Sequence, residues 1–118
     1  MAESTPPVAV QNQKDISVVQ FTNNRILDEA NIQEIGQGLN VLIDERPNPK
    51  ILLDFSNLTV LSSIAIAKLI SLQKKVVKLQ GTLKVCCVTP NLLEFLGYIG
   101  LDRYIRIYET QEDALRTF

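Results

Sequence analysis

The chain of 118 residues contains no histidine, and its only two cysteines are neighbours, Cys86 and Cys87. Without an imidazole, the chain lacks the side chain that most often serves as general base, proton shuttle or metal ligand near neutral pH. The common catalytic triads and zinc-hydrolase sites are therefore excluded. Consecutive residues of a strand point to opposite faces of the sheet, so the two thiols should point apart, which disfavours a disulfide or a shared metal ion. We interpret both as reduced, small apolar residues.

A strong net charge and long apolar segments are also absent. The formal net charge is −1, which gives no general electrostatic reason to bind nucleic acid or a membrane surface. No apolar run approaches the roughly 18 residues that span a bilayer, and the polar N-terminus has no signal-peptide pattern, so we expect a cytoplasmic protein without membrane insertion. Because no glycine-rich phosphate loop, metal cluster or nucleophile–base pair is visible, we expect neither an enzyme nor a cofactor.

The patterns that are present indicate one small α/β domain. Residues 1–7 are predicted to be flexible, and residues 8–118 to form the domain. Two β-rich runs, Val8 to Asn12 and Ile16 to Phe21, predict an antiparallel N-terminal hairpin. Strand and helix patterns then alternate, which predicts right-handed crossovers and a mostly parallel sheet of four to five strands with about four helices. The later strands are expected at Ile51 to Phe55, Leu83 to Val88 and Ile105 to Tyr108.

The first two helices have clear start signals and apolar faces. Asp28 is expected to cap the first helix, with Leu27 and Ile32 as a hydrophobic staple. The second helix should begin at Ser62 or Ser63. Helical spacing predicts the buried faces. On the first helix these are Ile32, Ile35, Leu39 and Leu42; on the second they are Ala65, Leu69, Leu72, Val76 and Leu79, broadened by Ile66, Ile70 and Val77.

The helix ends and the later caps are predicted from glycine, proline and hydroxyl residues. Gly81 is expected to stop the second helix in the left-handed conformation. Thr89 should cap a short third helix with Pro90 at its first position. Thr110 and Asp113 resemble a capping box that opens a terminal helix.

Asp54 is a candidate for chemistry because it ends a buried strand. In a receiver domain, an aspartate there accepts a phosphoryl group, but that site also needs an acidic pair that holds magnesium and a lysine after a later strand. Asp15 stands alone in its loop, and no lysine follows Ile107. We therefore interpret Asp54 as a strand-ending residue whose carboxylate accepts hydrogen bonds from loop amides.

The Ser62-Ser63 pair is the second candidate. Serine just before an apolar-periodic run is a common helix cap. A phosphate on Ser63 would also be stabilised by the free amides at the positive end of the helix, and it would add nearly two negative charges to the surface. Capping and phosphorylation are compatible, since Ser62 can cap while Ser63 presents its hydroxyl. A third feature is a row of lysines that is either a solvated helix face or the flank of a site for an acidic partner. These are Lys68, Lys75 and Lys78.

Four stretches of the chain together resemble the STAS domain family, which comprises anti-sigma factor antagonists and their relatives. Leu27-Asp28 matches the Leu-Asp that opens the family's first helix, and ILLDFSNLTVL (51–61) resembles its strand and loop. The segment SSIA (62–65) falls where the family has Asp-Ser-Ser/Thr-Gly. LLEFLGYIGLDRYIRIYETQEDAL (92–115) resembles the closing pattern. The resemblance runs from about Val8 to the C-terminus and agrees in element order.

The resemblance implies a regulatory binding protein. In phospho-regulated members, an anti-sigma factor with serine kinase activity phosphorylates the serine that matches Ser63. The unphosphorylated form binds that kinase and frees the sigma factor. The resemblance therefore implies phosphorylation at Ser63 and this kinase as the partner. The partner-binding residues would be Asp28, Ser62, Ser63, Ile64 and Lys68.

This sequence departs from the family motif at two positions. Ser62 replaces the aspartate, which removes a charge and a hydrogen-bond acceptor beside the acceptor hydroxyl. Ala65 replaces the glycine, and its methyl should leave less room for a close-fitting partner. Both changes favour an alternative function, a non-phosphorylated STAS scaffold or a subunit of a transport or stress-sensing complex. The oligomeric state stays open between a monomer and a weak dimer.

Overall fold

The computed structural model describes residues 8–26 and 28–118. The segment 1–7, predicted to be flexible, and Leu27, one half of the predicted staple, lie outside the described residues. The chain opens with two antiparallel strands, β1 (Val8–Gln13) and β2 (Ile16–Phe21), which confirms the predicted hairpin.

Strands and helices alternate after the hairpin. They are β3 (Arg25–Ile26), α1 (Glu29–Glu45), β4 (Lys50–Asp54), β5 (Val60–Leu61), α2 (Ser63–Lys78), β6 (Thr82–Cys86), α3 (Pro90–Ile99), a 3-10 turn (Leu101–Arg103), β7 (Arg106–Tyr108) and α4 (Gln111–Arg116). The main sheet has the order β1-β2-β4-β6-β7 and is parallel from β2 onward. Across residues 8–26 and 28–118, the fold is α/β with four α-helices and a mostly parallel five-stranded sheet, as predicted.

The central strand β4 is buried on both faces of the sheet. Leu52 and Leu53 point to opposite sides, and both are 0% exposed. Leu53 belongs to the larger core, with residues of α1, α2 and α3, whereas Leu52 belongs to a smaller core with Ala114 of α4. Strands of a parallel sheet that are covered on both sides carry continuous apolar runs, which explains the sequence of β4.

The predicted apolar faces of α1 and α2 need three corrections. Leu42 is only partly buried, and Ile43 at 1% exposure takes its place, because it lies four residues after the buried Leu39. Val77 is 60% exposed and Leu79 is 42% exposed. Val77 is turned by about 100° from its buried neighbour Val76, and Leu79 lies at the helix cap, where the helical repeat ends.

The end of α2 and the start of α3 differ in detail from the prediction. Gln80, with φ 58°, takes the left-handed conformation after α2, and Gly81 does not. Gly81 is required for space, since a Cβ there would collide with the carbonyl oxygen of Pro49. Thr89 is the N-cap residue of α3 and Pro90 is its first residue, as predicted, but the Thr89 side chain makes no cap hydrogen bond. Its Oγ1 donates instead to the Leu58 carbonyl at 3.4 Å.

The terminal helix begins as predicted. The hydroxyl oxygen of Thr110 accepts a hydrogen bond from the backbone N–H of Asp113 at 3.1 Å. This bond satisfies one of the free amides in the first turn of α4.

Candidate functional site: the paired N-termini of α1 and α2

A short pair of strands places the N-termini of α1 and α2 side by side. β3 and β5 pair in parallel, with Ile26 opposite Leu61. The backbone N–H of Ser62 donates to the carbonyl of Ile26 at 3.0 Å. Asp28 follows this pair by two residues on one strand, and Ser62 follows it by one residue on the other. The two predicted caps therefore lie at the same end of neighbouring helices.

Each of the two caps satisfies an amide of its own helix. Asp28 Oδ1 accepts from the N–H of Ala30 at 2.9 Å, which confirms the predicted start of α1. Ser62 Oγ accepts from the N–H of Ala65 at 3.2 Å, so the capping serine of α2 is Ser62. A side-chain oxygen at this position replaces water as the partner of an otherwise unpaired helix amide.

Ser63 is left with a different environment from Ser62. It is the first residue of α2 and is exposed, and its hydroxyl has no hydrogen-bond partner among residues 8–26 and 28–118. The neighbouring Ile64 is 62% exposed, so its large apolar side chain is accessible to a partner. The helix start thus presents one free hydroxyl beside one exposed apolar side chain.

The lysine row on α2 is not a uniform solvated face. The Lys68 side chain crosses α1 at Gly36, where an added Cβ would lie 2.5 Å from Lys68 Cε. The Lys75 ammonium donates to Asn40 Oδ1 at 2.8 Å and lies 3.1 Å from an oxygen of Asp44. Lys68 and Lys75 therefore join α2 to α1, and of these three lysines Lys78 alone is classed as exposed.

The methyl group of Ala65 points into the protein. Ala65 is 5% exposed, and it lines a small apolar cavity together with Phe21, Ile26 and Leu61. Lys68 lies at the same cavity. The expectation that this methyl would narrow the partner's space is therefore corrected, since the substitution of glycine by alanine falls on the buried side of α2.

Asp54 has the structural role that its position predicted. It is 4% exposed, and its Oδ1 accepts from the N–H of Ser56 at 2.8 Å. Its Oδ2 accepts from the amide groups of Gln20 at 3.3 Å and Gln111 at 2.9 Å. The carboxylate connects β4 to β2, to α4 and to the loop that leads toward Ser63.

The prediction that Cys86 and Cys87 point apart is wrong. The strand ends at Cys86, and Cys87 adopts a positive φ of 63°, so the strand alternation does not extend to it. The two Sγ atoms lie 3.4 Å apart, and both thiols are free. A carboxylate oxygen of Asp54 and the two sulfur atoms all lie within 4.8 Å of one another.

The sequence predicted that α1 is capped by Asp28 and that α2 begins at Ser62 or Ser63, but it did not predict the pairing of β3 with β5 that places the two helix starts side by side. β3 and β5 have two residues each, too few to display the strand period of two. The turn of Cys87 out of the strand was missed as well, because cysteine is not a residue that signals positive φ.

The family of the chain follows from a comparison of sequence patterns. The STAS domain model matches residues 7–114, so the chain belongs to the STAS domain family. No curated protein sequence matches the chain significantly. No helix in the described part of the chain is long and apolar enough to cross a membrane.

Solved structures share the fold at low sequence identity. An anti-sigma-factor antagonist (STAS) domain protein from Planctomyces limnophilus is 22% identical, with a TM-score of 0.83 over 96% of this chain and 98% of that one. The Bacillus cell fate determinant SpoIIAA in its phosphorylated form is 14% identical, with a TM-score of 0.67 over 92% and 96%. A sulfate transporter family protein from Wolinella succinogenes is 14% identical, with a TM-score of 0.69 over 88% and 84%.

Proposed function

We propose that this protein is an anti-sigma factor antagonist-like regulator that binds a kinase-type anti-sigma factor and is switched by phosphorylation at Ser63. The binding surface would comprise Asp28, Ser62, Ser63, Ile64 and Lys68. The observation that carries the proposal is the separation of roles between the two serines. Because Ser62 supplies the cap, the exposed hydroxyl of Ser63 is available to a kinase at the position that matches the family's acceptor.

The physical basis of the switch is charge at a helix start. A phosphate on Ser63 would lie at the positive end of α2, beside amides without helical partners, so the modified state is stabilised within the domain. It would also place up to two negative charges next to the exposed Ile64. A partner that packs an apolar surface against Ile64 would have to desolvate these charges, so phosphorylation should release it.

The family and the solved relatives support this proposal. The chain belongs to the STAS family, and its relatives include a protein described as an anti-sigma-factor antagonist and a cell fate determinant solved in a phosphorylated form. We further propose that the protein is cytoplasmic, that its Ser63 surface binds the partner without catalysis of its own or a cofactor, and that it neither binds nucleic acid directly nor inserts into a membrane.

Intact-mass measurement after incubation with a kinase-type anti-sigma factor from the same genome and ATP tests the proposal. We expect the mass of one phosphoryl group on the unmodified protein and on Ser62→Ala, and none on Ser63→Ala. In ADP, the unmodified protein should form a complex with the kinase. No phosphoryl gain together with no complex in ADP would contradict the proposal.

A variant that restores the family motif sharpens this test. Ser62→Asp keeps a capping oxygen while it supplies the missing carboxylate, and Ala65→Gly supplies the missing glycine. We expect phosphorylation of Ser63 to be faster in the double variant. Since the Ala65 methyl is buried, most of the gain should come from Ser62→Asp alone. The rate of Ser63 phosphorylation is compared in the unmodified protein, Ser62→Asp, Ala65→Gly and the double variant. An equal rate in all four would contradict a role for the carboxylate.

A second candidate function is a non-phosphorylated STAS module, either a scaffold or a subunit of a transport or stress-sensing complex. The replacement of the motif aspartate by Ser62 favours it, and a sulfate transporter family protein shares the fold. This function predicts a partner whose affinity is the same for the unmodified protein, Ser63→Ala and Ser63→Asp. A loss of affinity in Ser63→Asp alone favours the switch instead.

A further inference from the structure

A cluster of two thiols and one carboxylate lies outside the proposed binding surface. Asp54 and Cys86 face each other as the last paired residues of β4 and β6. The positive φ of Cys87 then turns the chain so that its sulfur returns to within 3.4 Å of Cys86 Sγ. The fold thereby brings together three potential metal ligands from two strand ends, all within 4.8 Å of one another.

We propose that Asp54, Cys86 and Cys87 bind a thiophilic divalent cation of the zinc type. Two sulfur atoms and one carboxylate oxygen are ligands that zinc accepts, and three protein ligands leave a fourth position for solvent or an external ligand. In tetrahedral coordination with Zn–S bonds of about 2.3 Å, the two sulfur atoms would be about 3.8 Å apart. The observed separation of 3.4 Å is close to that value, so small side-chain rotations would suffice.

A disulfide between the two cysteines fits the geometry less well. Neighbouring Cα atoms across a trans peptide are about 3.8 Å apart, whereas disulfides usually join Cα atoms about 4.4–6.8 Å apart. None of the described peptide bonds is cis. A bridging cation requires no bond between the sulfur atoms, so it can use the pair without this strain.

The thiol of Cys86 must lose its proton when it binds a cation. Burial raises the pKa of the Cys86 thiol, and the contact with Cys87 and the nearby Asp54 charge raise it further. Binding would release one proton from each thiol to solvent, so that the cation, two thiolates and one carboxylate form a site of net charge −1.

The surroundings of Asp54 suit a ligand that is fixed before the cation arrives. Gln20 and Gln111 hold Oδ2, while Oδ1 accepts one hydrogen bond, from Ser56, and retains a free lone pair. Such outer hydrogen bonds orient a ligand and are part of effective metal sites. Cys87 is partly exposed whereas Asp54 and Cys86 are buried, so a cation would reach the cluster from the Cys87 side.

Titration of the reduced protein with Cd²⁺ tests the site, because thiolate-to-cadmium charge transfer gives a direct ultraviolet signal. We expect one equivalent of Cd²⁺ to bind with this signal, and Zn²⁺ to compete for the same site. Cys87→Ser should weaken binding by at least tenfold, and Asp54→Asn should weaken it by a smaller factor. Asp102→Asn, at an exposed carboxylate outside the cluster, should bind as the unmodified protein does.

Three results would overturn the proposal. One is the absence of a charge-transfer signal at an equimolar, micromolar concentration of Cd²⁺. Another is an unchanged affinity in Cys87→Ser, checked for native structure by circular dichroism. The third is an unchanged affinity in an Asp54→Asn variant that is folded, because the carboxylate would then not be a ligand.

Discussion

At the scale of single residues, two adjacent and chemically identical side chains differ in their roles. Ser62 Oγ accepts a helix amide, whereas the Ser63 hydroxyl points to solvent. The sequence predicted a helix start at this pair but could not assign the cap, because either serine satisfies the same pattern. The geometry of the Ile26–Leu61 pairing makes the assignment, since it fixes where the extended chain ends.

This difference predicts that substitution by alanine lowers the free energy of unfolding more at Ser62 than at Ser63. Ser62→Ala should lower the free energy of unfolding by about 1 kcal/mol through loss of the cap. Ser63→Ala should change it by less than about 0.5 kcal/mol, as for other exposed sites. Urea unfolding followed by circular dichroism measures both values. Equal losses, or a larger loss in Ser63→Ala, would contradict the assignment of Ser62 as the cap.

Lys84 is a buried lysine, 6% exposed, whose burial no local sequence pattern predicts. Its ammonium donates to the carbonyl of Thr117 at 2.8 Å and to its hydroxyl at 2.7 Å. It also lies 5.0 Å from the ring centre of Tyr108 and 4.5 Å from that of Phe118. Strand alternation predicts that Lys84 lies on the face of the sheet that α4 covers. Its partners Tyr108, Thr117 and Phe118 lie 24 or more residues further along the chain, so no local sequence pattern reveals them.

Removal of this side chain should loosen α4. Lys84→Ala is expected to lower the free energy of unfolding by about 2–3 kcal/mol, because it removes two hydrogen bonds and two cation–π contacts. The matched control is Lys78→Ala at an exposed position, for which a change below about 0.5 kcal/mol is expected. Thermal or urea unfolding compares the two, and similar small effects would contradict the role given to Lys84.

At the scale of secondary-structure elements, long periodic segments were predictable and short connections were not. The hairpin, four helices and the strands of the main sheet follow from spacing and caps. The two-residue strands β3 and β5 form only because the chain segments after β2 and β4 meet in the fold. These two strands position the candidate functional site, because their pairing places the N-termini of α1 and α2 side by side. The left-handed residue after α2 is Gln80, because Gly81 is needed where the chain passes Pro49.

Substitution by alanine should therefore change the free energy of unfolding in opposite directions at Gly81 and at Gly97. Gly81→Ala is expected to lower the free energy of unfolding by about 2 kcal/mol or more, because its Cβ would collide with backbone at Pro49. Gly97 lies within α3, and a Cβ there meets nothing within 4 Å. Gly97→Ala should raise the free energy of unfolding by about 0.5–1 kcal/mol through helix propensity. Melting temperatures of both variants test the pair, and shifts of the same sign would contradict it.

At the scale of the whole molecule, both candidate sites lie beyond the carboxyl ends of β4 and β6. The chain leaves β4 at Asp54 and reaches Ser63 through the loop and β5, and it leaves β6 at the two cysteines. Open α/β sheets commonly place their ligands at this edge, where loops between strands and helices are free to vary. The fold and this edge were predictable from sequence. The proposed partner surface rests on the resemblance to the STAS family, because most of its residues are of types that are common at helix starts.

The affinity for the kinase-type anti-sigma factor in ADP, measured by isothermal titration calorimetry, shows whether negative charge at Ser63 controls partner binding. Four proteins are compared: the unmodified chain, Ser63→Ala, Ser63→Asp and Ser71→Asp. Ser71→Asp adds the same charge at an exposed position of α2 roughly 12 Å further along the helix. We expect similar affinities for the unmodified chain, Ser63→Ala and Ser71→Asp, and an affinity at least about tenfold lower for Ser63→Asp. A complex that binds Ser63→Asp as tightly as the unmodified chain would contradict the account.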